Sequence, residues 1–296
     1  MPQSDLPVVG FVGLGNMGMP MATRLVTAGY TVLGFDVAQP VRAAFAAAGG
    51  SAVESVGDVA TGAGVLILML PDSKVVNAVL GDPGLSANLA AGTTVIDMSS
   101  SEPIKTRALA AELDARGVVL IDAPVSGGVK GAVEGTLTIM VGGPAATVAE
   151  AVPVLEHLGT PVHAGPVGSG HAIKALNNLL SATHLLVTSE AMLAGKRFGL
   201  DPEVMLSIFN RSSGKSGSTE NKWPNFILPG GYNSGFGLRL MLKDMRIATD
   251  LAEQLDVPDE LGRAAVELWA RAADDLEPTA DHTEIAKWLA EREVGL

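Results

Sequence analysis

Short, nearly continuous apolar runs alternate with longer mixed stretches along the first half of the chain. The runs are 7–13 (Pro-Val-Val-Gly-Phe-Val-Gly), 31–36 (Thr-Val-Leu-Gly-Phe-Asp), 65–70, 94–98, 118–122 and 136–141. Unbroken apolar runs of this length, rich in Val and Ile, are the pattern of strands buried on both faces. The stretches between them carry helical patterning. Alternating strands and helices predict an α/β unit with a doubly wound parallel sheet. At Gly168 the pattern changes. From there to about Arg197 there is no Pro and only one late Gly. The spacing predicts one long helix, roughly 40 Å if fully formed at 1.5 Å per residue. Asp201-Pro202-Glu203 then opens another helix, with Asp201 as cap and Pro202 in the first turn. A polar, glycine-rich loop is expected over 211–221 and a further helix over 237–248. Asp281-His282-Thr283-Glu284 has the shape of a capping box. His282 there reads as a surface or cap residue, with a lid or active-site role as the alternative. The expectation is therefore two domains, 1–167 with a sheet and 168–296 all-helical, joined near Gly165–Gly170.

The first strand runs directly into Gly13-Leu14-Gly15-Asn16-Met17-Gly18, and a helix follows to about Gly29. This is GxGxxG in its required setting. The first glycine turns tightly and the second lets a pyrophosphate reach the backbone. The third lets helix pack on strand, and the helix N-terminus faces the phosphate charge. Asp36 ends the second strand, eighteen residues past Gly18. A carboxylate there accepts from a ribose 2′-hydroxyl and repels a 2′-phosphate, which favours NAD over NADP. The plain alternative for Asp36 is an ordinary turn acid. Together these features make the first domain a Rossmann-type dinucleotide-binding unit. Ligands in such sheets sit beyond the carboxyl ends of the strands, which places Leu70, Pro71 and Ser99 near the cofactor. These positions also serve turn and cap chemistry, and Ser101-Glu102-Pro103 reads as a helix start.

Two further stretches carry chemistry. Asp122-Ala-Pro-Val-Ser-Gly-Gly-Val-Lys-Gly-Ala132 leaves the end of a strand. The Ser126 hydroxyl and the bare amides of Gly127 and Gly128 can cradle a carboxylate; otherwise the segment is a flexible turn. Gly168-Ser-Gly-His-Ala-Ile-Lys-Ala-Leu-Asn-Asn178 opens the long helix. Gly168 and Gly170 admit another backbone or a ligand at its first turn. Lys174 and Asn178, four apart, share a face. Burial disfavours a charged lysine, and an amine tuned that way trades a proton near neutral pH. In the bland reading the stem packs and the head reaches water.

Composition narrows the field. The 296 residues carry a net charge of −12, which argues against a nucleic-acid partner. There is no cysteine, so disulfides, thiolate catalysis and cysteine-held metals are excluded. Five scattered histidines make no HExxH pair, so no metal is expected. No apolar stretch is long enough to span a membrane, and the N-terminus has no leader pattern. A cytoplasmic protein is expected.

On these motifs the chain resembles the β-hydroxyacid dehydrogenase family over essentially its whole length. Phe11 to Ala22 is similar to the family's cofactor signature, Asp122 to Ala132 to its substrate loop, and Gly168 to Asn178 to its catalytic helix. Lys243-Asp244 is similar to a paired Lys-Asp further on. The resemblance implies Lys174 as the acid/base, with Asn178 holding the substrate or the lysine. It implies Ser126, Gly127 and Gly128 on the carboxylate, and Lys243 near both ligands with Asp244 as its partner. It also implies a homodimer or homotetramer built through the helical domain. The chain departs from 3-hydroxyisobutyrate dehydrogenase over Arg211–Lys222 and at Trp223, Phe226 and Phe236, a region expected to shape the distal side of the pocket. Imine reductases share the architecture but usually place another acid where Lys174 stands. Beyond enzymes, the rival is a non-catalytic module that senses NAD.

Overall fold

The structure is a computed structural model and describes residues 6–292. The chain divides into two units, Met1–Lys174 and Ala175–Leu296, with the division inside the long helix Ser169–Phe198.

The first unit is built on a nine-stranded sheet. Its strands are β1 (Val9–Val12), β2 (Val32–Phe35), β3 (Ser51–Ala52), β4 (Val65–Leu68), β5 (Thr94–Asp97), β6 (Val119–Asp122), β7 (Val125–Ser126), β8 (Leu137–Gly142) and β9 (Gly159–Gly165). Their order is β3-β2-β1-β4-β5-β6-β8-β7, with β9 on β8. Successive side chains on a strand point to opposite faces. Accordingly Phe11, Ile67, Ile96 and Ile121 enter one core, while Val12, Leu66, Leu68, Val95 and Leu120 enter another. Two buried faces are why the strands read as unbroken apolar runs.

Strands β3 to β6 are parallel throughout, as their spacing predicts. The sheet reverses at β8, which runs antiparallel to β6 and β7 and parallel to β9. The run at 136–141 is a strand, but apolar patterning carries no information on direction. The cause lies in the connection: β7 turns through the helix Gly128–Glu134 straight back into β8, too short a path for a parallel crossover. The two-residue β3 and β7, and β9, in which no residue is fully buried, lack the apolar run that marks a buried strand.

The parallel strands end in register. The amides of Gly13, Met69, Met98 and Ala123 continue the ladder to Phe35, Val12, Leu68 and Asp97 carbonyls. Every loop singled out in this unit therefore leaves one rim of the sheet.

Among the described residues the second unit is helical apart from a Gly237–Asp281 bridge. After the long helix come Pro202–Phe209, a π-helix over Ser218–Ile227, Leu238–Gln254, Glu260–Asp275, a 3₁₀ turn His282–Glu284 and Ile285–Glu291. Its core gathers Leu185, Met192, Trp223, Leu238, Met245, Trp269, Ile285 and Trp288. Burying a fully enclosed Trp269 is worth about 3–5 kcal/mol against truncation to Ala. Asp201 caps Pro202–Phe209 through the amides of Glu203 and Val204. The loop expected over 211–221 gives way at Ser218 to the π-helix. Ser216 and Thr219 exchange side-chain and backbone hydrogen bonds at its start, and Trp223 and Ile227 bury together, overriding the polar composition.

Candidate active site

The glycine loop shows a packed side and a bare side. Gly13 sits at φ +95°, where a Cβ would also run into the Met69 carbonyl, and a Cβ on Gly18 would run into the Gly13 carbonyl. At Gly15 a Cβ would meet nothing. The helix Gly18–Thr27 begins with no side-chain cap and no acid in its first turn, so its leading amides are not committed to a neighbouring side chain. That combination fits a pyrophosphate. Asp36 is more than a turn acid in one respect. Its Oδ2 accepts from the Leu14 amide at 2.9 Å and its Oδ1 from the Ala38 amide at 2.9 Å. It ties the end of β2 to the glycine loop and keeps lone pairs for a ribose hydroxyl. Arg42 donates to the Asp36 carbonyl and pairs with Glu54 at 3.1 Å.

Leu70, Pro71 and Ser99 lie on the neighbouring strand ends. The Leu70 amide donates to Ser99 Oγ at 3.0 Å, and the Ser99 amide donates to Asp97. In the glycine loop Asn16 is exposed and Met17 half-buried. Ser101 donates to Asp97 Oδ2 instead of capping the helix Pro103–Asp114, whose cap position is Glu102. Asp72 does serve as a cap, accepting from the Val75 amide.

Ser126 is half-buried at the end of β7, and Gly127 and Gly128 are exposed with φ of +131° and +62°. The second needs glycine's freedom in the left-handed region, and its missing side chain would meet nothing. The segment is thus a defined strand-to-helix corner.

Asp122, where that segment begins, plays a part its motif does not announce. Its Oδ1 accepts from the Gly168 amide at 2.6 Å and its Oδ2 from the His171 amide at 2.8 Å. Burial raises the Asp122 carboxyl above its ordinary range, against the pull of His171 and these amides. The carboxylate closes the N-terminus of the long helix from 46 residues away. Gly170 is small for the same reason: a Cβ would run into the Met140 carbonyl and lie 2.9 Å from Asp122 Oδ2. Of backbone and ligand, the close neighbour is backbone. His171 is fully buried, with Nδ1 2.9 Å from Thr106 Oγ1. Its Nε2 has no hydrogen-bond partner and faces Asp97 Oδ2 at 3.7 Å. Asp122, His171 and Asp97 form a buried polar joint between sheet and helix that spacing did not single out. Their one signal is that all end a strand or open a helix.

Lys174 stands one residue past His171's own turn and is 8% exposed, so it is not a snorkelling surface lysine. Asn178, one turn further, is buried, and its Nδ2 donates to Asp244 Oδ2 at 2.6 Å. Asp244 Oδ1 lies 3.4 Å from Lys243 Nζ, an ion-pair distance without hydrogen-bond alignment. Asp244 therefore serves Asn178 first and Lys243 second.

His282 corrects an expectation. The capping box is there, with the side chains of Asp281 and Glu284 each accepting from the other's backbone amide, but His282 is only 1% exposed and is not a surface residue. The Gly237–Asp281 bridge and the turn around Ser234 fold over it. Its Nε2 lies 2.6 Å from Lys222 Nζ and its Nδ1 2.9 Å from Ser234 Oγ, which donates to Asp281 at 2.9 Å. Burial, with Lys222 alongside, pushes the imidazole down to about 4. Asp281 is opposed by burial but ends below its ordinary range, because Thr283 and Ser234 donate to it.

The fold and this rim define a dinucleotide-binding oxidoreductase. Residues 8–168 match the NAD-binding domain of 6-phosphogluconate dehydrogenase, and residues 168–289 the NAD-binding region of NADP-dependent 3-hydroxyisobutyrate dehydrogenase. The NAD-dependent L-serine dehydrogenase of Pseudomonas aeruginosa is 41% identical over 269 residues, covering 88% of this chain and 90% of that one. The 2-(hydroxymethyl)glutarate dehydrogenase of Eubacterium barkeri is 39% identical over 264 residues, covering 88% and 87%. The solved 3-hydroxyisobutyrate dehydrogenase of Mycobacterium tuberculosis, with L-serine, superposes with a TM-score of 0.91 at 33% identity over 96% of this chain and 99% of that one. The chain belongs to the β-hydroxyacid dehydrogenase family. It is an NAD(P)-dependent hydroxyacid dehydrogenase.

Proposed function

We propose that the chain interconverts a short 3-hydroxy acid and its semialdehyde, that Lys174 is the general acid/base, and that NAD is preferred over NADP. The substrates in the names of the three relatives share one fragment: a primary alcohol on the carbon next to the carboxylate-bearing carbon. The observation that carries the proposal is Lys174 buried one turn along a helix whose first turn Asp122 anchors to the sheet rim.

When bound, the nicotinamide takes or returns the hydride. Ser126 Oγ and the amides of Gly127 and Gly128 hold the carboxylate, with Lys243 as a further contact. Lys174 in its neutral form accepts the hydroxyl proton; in reverse, its ammonium returns that proton to the oxygen. Asn178, its own amide fixed on Asp244, holds the substrate or the lysine. Proton transfer of this kind contributes about 10²–10⁴ in rate. Lys174→Ala should lose at least that much turnover while NADH binding, followed by fluorescence, survives. Near-normal turnover would refute the role. In the same titration, tighter NADPH than NADH binding would refute the preference assigned to Asp36.

The helical unit also supports self-association. Ile173, Leu176, Leu180 and Val187 are 43–59% exposed on the long helix. Their spacing of three, four and seven is a heptad seam, which a second copy of the same helix fits. Leu180→Glu should shift the light-scattering mass from an oligomer to a monomer; a wild-type monomer would sink this reading.

A further inference from the structure

We infer that His171 is a positioning residue for the proton transfer. It sets the roll of the long helix, and with it the place of the Lys174 amine, against the strand-end loops that carry Leu70 and Ser99. The inference rests on the reading of Lys174 as the acid/base and adds a second residue to that step. Every group in it belongs to the first unit, Met1–Lys174.

Asp122 fixes the end of the helix. It accepts from the main-chain amides of Gly168 and His171. A helix pinned at its end can still roll about its axis, and roll is set by contacts away from the axis. His171 supplies such a contact, from a side chain in a residue that is 1% exposed. Its Nδ1 lies 2.9 Å from Thr106 Oγ1. The Thr106 hydroxyl has a single hydrogen and donates it to the Glu102 carbonyl at 3.1 Å, so its oxygen accepts from the ring N–H. The other side of the ring faces Asp97, whose oxygens accept from the Ser99 amide and the Ser101 hydroxyl. Lys174 is three residues further on, so the two side chains are neighbours on the helix surface. A roll of about 10° moves a side-chain tip, at an outer helix radius of about 5–6 Å, by about 1 Å. A misplacement of about 1 Å costs about 10² in rate.

The support under His171 is tied to the sheet rim. Thr106 ends the first turn of the helix Pro103–Asp114. The Glu102 amide at the start of that helix donates to Ser73 Oγ at 2.7 Å, and the Leu70 amide donates to Ser99 Oγ at 3.0 Å. The loops after β4 and β5 are thus bonded to each other and to the element that carries Thr106. Two more contacts join the same elements. Arg107 Nε donates to the Val167 carbonyl at 3.1 Å, and a Cβ on Gly168 would lie 2.9 Å from the Pro103 carbonyl. Both are made before the long helix begins at Ser169. His171 makes its contact from inside the helix, one turn before the lysine.

The test measures kcat per NADH-binding site, the sites being counted by fluorescence titration. The substrate is whichever of 3-hydroxyisobutyrate, 3-hydroxypropionate and L-serine the wild type oxidises fastest. A merely structural role lowers the number of sites and leaves kcat per site unchanged. Thr106→Val, which exchanges the hydroxyl for a methyl, should lower kcat per site about 10-fold, and His171→Leu about 100-fold. KM and the NADH Kd should stay within about twofold of the wild type, as for an interaction that matters only in the transition state. The isotope effect from deuterium on the carbinol carbon should not fall, because the chemical step is the one slowed. His171→Asn, whose side-chain amide puts a donor near where Nδ1 stands, should recover part of the loss. If His171→Leu does not fold, Thr106→Val decides. A kcat per site equal to the wild type's in Thr106→Val, or a loss carried by KM or by NADH affinity, overturns the proposal. Lys174→Ala is run beside them. If it turns over normally, the catalytic reading fails and takes this inference with it; if it is slow while Thr106→Val is unaffected, only the present inference fails. In the Lys174→Ala background, Thr106→Val should slow nothing further, since no amine remains to be placed. An undiminished loss there also overturns the proposal.

Discussion

Each unit encloses a histidine beside aspartates, and the two are arranged in opposite ways. His171 in the first unit lies between Asp97 and Asp122, with Nδ1 on Thr106 and Nε2 unbonded. Its neighbour Asp122 spends both oxygens on backbone amides of the long helix. His282 in the second unit has both ring nitrogens engaged, one by Lys222 and one by Ser234 and the Phe236 carbonyl. The first cluster is a joint: its polar atoms serve to set a helix on a sheet rim. The second is a row of hydrogen bonds that ends in a cation. A buried histidine next to an aspartate therefore has no single meaning; what its partners are bonded to decides.

The comparison breaks most readily at Gly170. If the first cluster is a joint with no spare room, Gly170→Ala must displace the Met140 backbone or the Asp122 carboxylate. It should cost about 3 kcal/mol, or prevent folding, in urea denaturation. Gly214→Ala, in open space, is the control and should cost far less. Equal costs would show that the joint has slack.

The second cluster is tested by acid. His282 takes up its proton near 6.5 when unfolded but only near about 4 when folded. Between these values the unfolded chain binds more protons. The stability from this group is present above pH 6.5 and is lost as pH falls towards 4, by up to about 3 kcal/mol. His282→Gln should flatten that part of the stability–pH curve; an unchanged slope would mean the imidazole is not kept neutral.

The smallest effect sharpens the contrast, because its sign is opposite. Asp122→Asn leaves one of two helix amides facing an NH₂ group, which costs about 1–3 kcal/mol, but it also removes a buried charge. The net loss at neutral pH should be about 1 kcal/mol. Since burial raises the folded-state value of Asp122, its contribution is fully present below its unfolded value near 4. It fades as pH rises through the folded one. The cost of Asp122→Asn should therefore shrink with rising pH, measured by the same denaturation series; a cost that grows with pH would contradict this.

Much of this was legible in the chain and some was not. The Gly13–Gly18 loop, Asp36, the strand runs and the long helix announce themselves, because local chemistry alone demands those residues at those spacings. Lys174 and Asn178 were visible as a pair on one helix face. Asp97 and Asp122 looked like strand ends, since nothing local says that Asp122 will meet amides 46 and 49 residues later. His282 looked exposed for a related reason: a capping box describes hydrogen bonds within four residues and is silent on what folds over it. Lys222 sat in a stretch polar enough to read as loop, until burial of Trp223 and Ile227 wound it into a helix.

By itself the sequence determined the alternation of elements, the dinucleotide loop, and which residues can carry proton transfer or hold an anion. These follow from periodicity and from contacts a few residues apart. The reversal of the sheet at β8, the clamp of Asp122 on the long helix and the row from Asp281 to Lys222 were decided only by the tertiary structure. Each depends on groups distant along the chain competing for the same buried hydrogen bonds, and that competition has no local signature.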